Sequence, residues 1–126
     1  MGLDIRATWE RRCQKTGQWV NMEDEVRIPV LEGRGRELLE HLENLGTRLD
    51  LVPEWNQVST KSQDKRPPTE TRNTVVVTLD AMYKKPPDAE MFGWGPYKQA
   101  LKLMSWCAGH YELHGLDVRL ICWGEP

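Results

Sequence analysis

The sequence predicts an α+β fold, with a mixed, partly antiparallel sheet and two helices on one face. Three observations carry this. Residues 3–9 and 73–82 alternate side by side along the chain, which is the period of a strand with two unlike faces. Leu38, Leu39, Leu42 and Leu45 recur at helical spacing, and so do Tyr97, Ala100, Leu101, Met104, Cys107, Ala108 and Tyr111. A chain of 126 residues, 39% of them hydrophobic, has enough apolar material for one core, so residues 1–126 are expected to form a single domain.

The elements follow in order. Leu3, Ile5, Ala7 and Trp9 alternate with Asp4, Arg6 and Thr8, a half-buried strand. Gln14-Lys15-Thr16-Gly17 is turn-like, with Gly17 free to take positive φ, and Gln18-Trp19-Val20 returns as a hairpin strand. Val26 and Ile28 before Pro29 read as a short edge segment. The leucine stripe makes the first helix, entered after Gly33 and Gly35 and closed at Gly46. Glu54–Ser59 is compatible with an extra strand. Residues 59–73 are polar with a double proline and are expected to form a mobile loop. Asn73–Met82 is the strongest strand pattern, and Pro96 opens a second helix that is expected to run to about His114 and stop at Gly115. Asp117–Trp123 has apolar residues on both sides, which places it centrally in the sheet. The simplest arrangement of these parts is a ferredoxin-like split βαβ.

Composition narrows the function classes. Lys and Arg number 17 against 19 Asp and Glu, a net charge of −2, so no global field drives the chain toward nucleic acid or anionic lipid. The longest apolar runs, such as Val75-Val76-Val77, fall far short of the roughly 20 residues of a membrane helix. The first residues lack the apolar core of a secretory signal, so a cytoplasmic location is expected. Three cysteines without a CxxC pair point to reduced thiols.

Catalytic parts are not recognisable. Ser59, Ser62 and Ser105 lack an elbow motif, and Gly33-Arg34-Gly35 lacks the third glycine of a dinucleotide fingerprint. Cys107, His110 and His114 fall at i, i+3 and i+7, one helical face, and have ligand chemistry for zinc. Their spacing fits no standard finger, and Cys107 belongs to the apolar stripe, so a packing role outweighs a metal site. No enzyme activity, metal or cofactor is expected. The candidates for partner binding are instead Trp55, Phe92, Trp94 and the basic residues Lys65, Arg66, Lys84 and Lys85, which adjoin Pro-Pro pairs. Phe92 and Trp94 either plug the end of the core or offer an exposed anchor.

The opening Met1-Gly2-Leu3-Asp4-Ile5-Arg6-Ala7 and the closing Asp117-Val118-Arg119-Leu120-Ile121-Cys122-Trp123 resemble the ends of small accessory proteins of bacteriophages and prophages. The resemblance implies a protein that binds and blocks a host factor in the host cytoplasm, as CRISPR inhibitors do. Residues 9–55 look like some toxin-immunity proteins, which also bind and block. The basic loops and aromatic residues leave a small nucleic-acid-binding module as the alternative from another class.

Overall fold

The computed structural model describes residues 4–23, 36–64, 74–88, 90 and 94–125. Two long strands, β1 (Asp4–Arg12) and β5 (Val118–Glu125), pair antiparallel along nearly their whole length, from Asp4 opposite Glu125 to Arg11 opposite Val118. β2 (Trp19–Asn21) folds back on β1 through the hairpin, where Gly17 has φ of 72° as its turn requires. Then come α1 (Arg36–Leu45), β3 (Thr47–Arg48), the short helix α2 (Thr60–Asp64), β4 (Val75–Thr78), α3 (Leu79–Lys84) and α4 (Trp94–His110). The fold is α+β.

The five strands stand in the order β2-β1-β5-β4-β3. Every strand pair is antiparallel, so the sheet is not mixed among the described residues. Nor is it the ferredoxin-like order. That order leaves a gap for a third strand between two strands joined by a helix. Here β4 and β5, joined through α3 and α4, are direct neighbours. The apolar faces of β5 do place it at the centre.

The sheet has two unlike sides. On one, Ile5, Trp9, Val75, Val77, Val118, Leu120 and Cys122 pack with Leu38, Leu39 and Leu42 of α1 and with Tyr97, Ala100, Leu101, Met104, Cys107 and Ala108 of α4. On the other, Val76, Ile121 and Trp123 pack with Leu49, Val52 and Val58 from the segment between β3 and α2. Thr8 and Glu10, which alternation assigns to solvent, are therefore buried beneath that segment.

Several boundaries differ from the sequence reading, each for a local reason. The strand expected over 73–82 ends at Thr78, whose hydroxyl accepts the Ala81 N–H at 3.1 Å and starts α3. Glu54–Asn56 is a 3-10 turn, not a strand. The polar stretch expected as loop from residue 59 opens with helix α2, begun by Ser59, whose hydroxyl accepts the Ser62 N–H at 3.2 Å. The rest of it, 65–73, and the edge segment 26–28 lie outside the described residues. α4 stops at His110 instead of His114, followed by Glu112 at φ of 56°.

Gly46 follows α1, and its N–H bonds to the Leu42 carbonyl at 2.9 Å. Its φ is not left-handed, so proximity is what demands glycine here. A Cβ would stand 2.6 Å from the Val76 carbonyl oxygen and 2.7 Å from Val77 Cγ2. Relief requires α1 to lift off β4. Gly46→Ala is expected to cost about 1–3 kcal/mol, read by urea denaturation; an unchanged midpoint would show that the helix end shifts freely.

Candidate functional site

The register sets Glu10 of β1 opposite Arg119 of β5 on the side away from α1 and α4, with Asn21 of β2 beyond Glu10. Glu10 and Arg119 are 0% and 1% exposed. Arg119 Nη2 lies 2.9 Å and Nε 3.0 Å from Glu10 Oε1. The other carboxylate oxygen, Oε2, accepts the Ser59 N–H and the Ser62 hydroxyl, both at 2.8 Å. Arg119 also donates to the main-chain carbonyls of Asn56 at 2.8 Å and Gln57 at 3.1 Å. Burial pushes the Arg119 guanidinium below its ordinary pKa, and Glu10 pulls it back up. Asn21 completes the network by donating to Thr8 Oγ1 and Ser62 Oγ at 2.9 and 2.8 Å. One Glu10 oxygen thus holds Ser59 and Ser62 directly, and the other holds the Arg119 that ties Asn56 and Gln57 to the sheet.

Trp19 seals this network. The Arg119 guanidinium sits 3.7 Å from its ring centroid and that of Arg12 4.5 Å. Its indole N–H donates to Asn56 Oδ1 at 2.9 Å. Arg12 donates to Gly17 O and to the same Asn56 oxygen, and stands 3.4 Å from Asp117 Oδ1. Asn56 is therefore gripped through both its side chain and its main chain.

Trp55, the residue before Asn56, is 76% exposed. Depressions lie on both sides of it. One, of about 490 Å³, is lined by Gly17, Gln18, Trp19, Glu54, Ser59 and Thr60 among others. The second, of about 270 Å³, has apolar walls from Val52, Pro53, Val76 and Leu116, with Arg12 and Arg119 also lining it. An exposed indole on a pinned turn, flanked by two hollows, is suited to non-covalent docking.

The remaining sequence candidates are scattered. Lys84 and Lys85 are exposed at the end of α3, which packs into the α1–α4 side of the sheet, opposite Trp55. Lys84 pairs with Asp80 at 3.0 Å. Trp94 starts α4; Lys65, Arg66 and Phe92 lie outside the described residues. Cys107 and His110 do not present their side chains to a common site: Cys107 is buried in the core, whereas His110 is exposed and stacked on Trp106. His114 lies beyond the end of α4. Among the described residues no group of three or more His, Cys, Asp or Glu is placed to hold a metal. No described helix is long and apolar enough to cross a membrane.

Two features went unread in the sequence. Trp106 is 69% exposed, although it lies on a helix with an extensive apolar stripe. The available signal was that Leu103 and Trp106 fall off that stripe. The second is Cys13, in the turn between β1 and β2. Its thiol pKa is lowered to about 7, chiefly by the Thr16 hydroxyl and then by the Thr16 and Lys15 N–H groups. Burial instead pushes the Cys122 thiol up.

No protein-family model, curated protein or solved structure matches this chain.

Two outcomes follow from these geometries. Glu10→Gln leaves Arg119 buried without its counter-charge, and is expected to lower stability by about 3–5 kcal/mol in urea titration. Hydrogen exchange over residues 56–62 should rise with it; a neutral effect would mean that the guanidinium finds another anion. Iodoacetamide should modify Cys13 in the native protein well before Cys107 or Cys122, with a rate rising through pH about 7, where its thiolate forms. Thr16→Val should move that midpoint upward, and an unmoved midpoint would remove the hydroxyl as the cause.

Proposed function

We propose that this chain works by stoichiometric binding to a protein partner, with Trp55 as the anchor. The observation that carries this is the exposure of Trp55 on a turn whose next residue is fixed by Arg12, Trp19 and Arg119. An anchor already held in place loses little conformational freedom on docking, which lowers the cost of association. Tryptophan is also the side chain most enriched where truncation costs the most binding energy. The two hollows beside it accept side chains from the partner. The resemblance of the chain ends to phage accessory proteins gives this binding a purpose: occupation of a host defence factor, such as a CRISPR effector, in the host cytoplasm. A toxin-immunity role uses the same mechanics. Glu54, beside Trp55 in the larger hollow, weighs against a polyanion and so against the nucleic-acid reading.

The test compares affinity capture from host lysate by the wild type, by Trp55→Ala and by Lys84→Ala as a control on the opposite side. The wild type and control are expected to retain one protein at a fixed ratio, which Trp55→Ala loses while its melting temperature stays within a few degrees. Retention of that protein by Trp55→Ala would overturn the assignment of the anchor. Salt-sensitive retention of nucleic acid in place of a protein would overturn the binding class.

A further inference from the structure

Two rows run side by side along the outer face of α4. Tyr97, Leu101, Met104 and Ala108 turn its inner face to the core. At about 100° per residue, Leu103, Trp106 and His110 form one outer row, and Lys98 and Lys102 form a second, about a quarter turn round the helix. Leu103 and Trp106 are 53% and 69% exposed. We propose that this face docks an amphipathic acidic helix of a protein partner, with its apolar stripe on Leu103 and Trp106 and its carboxylates on Lys98 and Lys102.

Charge selects an anionic occupant. Between Glu90 and Glu112 the chain holds Lys98, Lys102 and His110 and no acidic residue, although the net charge of the whole molecule is −2. Both lysines are exposed, and neither makes an ion pair among the described residues. Lys84 and Arg12, by contrast, are paired with Asp80 and Asp117. Two unneutralised lysines about 6 Å apart along the axis match carboxylates at the same i, i+4 spacing on a facing helix.

The aromatic row is braced. His110 stacks on Trp106 with centroids 5.7 Å apart and meets Tyr111 edge-on at 5.1 Å. Tyr111 in turn carries the Arg11 guanidinium at 4.1 Å, so the row ends on a third cation. An indole held in this way gives up little freedom on docking. The pattern favours a helix over a nucleic acid. Binding of single strands stacks successive bases on successive aromatic rings. Here His110 takes one side of the indole and Leu103 offers no ring, so only a single base would find a platform. A leucine and a tryptophan at i and i+3 instead fit the anchors by which one helix lies against another. The face is separate from Trp55, because α4 covers one side of the sheet and Trp55 belongs to the segment over the other.

Fluorescence anisotropy with labelled probes at low salt tests this on the full chain. The probe is a synthetic helical peptide with leucines at i, i+3 and i+7 and glutamates along one flank of that row. The wild type is expected to bind it reversibly. Trp106→Ala should weaken binding by roughly thirtyfold or more while the thermal midpoint stays within a few degrees. Leu51→Ala removes an exposed leucine from the segment on the other side and should leave binding as it is. Lys98→Glu combined with Lys102→Glu should weaken the glutamate peptide by roughly tenfold or more and strengthen the same peptide carrying lysines, a reversal that a folding defect does not imitate. No binding at millimolar peptide would overturn the proposal, as would equal binding by Trp106→Ala. Equal affinity for a peptide of the same composition with its leucines scattered would overturn the match of the two rows. Tighter binding of an oligothymidylate would assign the face to single-stranded nucleic acid, and tighter binding of phosphatidylserine vesicles would assign it to a lipid surface; either overturns the acidic helix as occupant.

Discussion

A guanidinium and a carboxylate with almost no contact with water face each other across the two longest strands of this molecule. Removing two charges from water is costly, and their mutual attraction offsets that cost only when the remaining donors and acceptors are satisfied. Here they are, through the Ser59 N–H, the Ser62 hydroxyl and the carbonyls of Asn56 and Gln57. The pair also specifies register. A slip of one residue between β1 and β5 would carry Glu10 or Arg119 into the apolar layer against α1 and α4, where nothing comparable receives a charge. The same interaction therefore fixes strand alignment and the placement of the 54–64 segment.

That segment does the work a helix layer does on the other side. Together with residues 49–53 it covers Val76, Ile121 and Trp123 with only Leu49, Val52 and Val58, too little apolar surface to hold an irregular stretch of chain by burial alone. Hydrogen bonds to the charged pair supply the rest, since bonds to ionised groups are roughly twice as strong as neutral ones. Rigidity at Asn56 is the by-product, and the exposed indole of Trp55 inherits it from its neighbour.

The parts of this architecture that depend on side-chain period were legible in the sequence. The two-sided apolar pattern of residues 118–123 placed β5 at the centre, and the leucine stripe located α1. What escaped was anything decided by a partner distant along the chain. Glu10 and Arg119 are 109 residues apart, and each looks like a solvated position in an alternating strand until the other is placed opposite it. α3 was hidden because Thr78-Leu79-Asp80 continues the strand alternation, while the threonine that ends the strand does so through its hydroxyl. Of the site, Trp55 was named from its chain neighbourhood. The support that Trp19 and Arg12 give its neighbour Asn56 is not legible, because contacts 37 and 44 residues apart leave no periodic trace.

The position of β5 has a consequence for how the molecule comes into being. It lies between β1 and β4, so neither half of the sheet touches the other without it. On the ribosome, β1 through β4 emerge first and wait, their apolar faces uncovered, for a strand translated after all of them. Arg119 must then find a carboxylate made 109 residues earlier, a closure of long sequence separation that slows folding. A nascent chain of this design is exposed to misassociation and to chaperone capture until β5 leaves the exit tunnel.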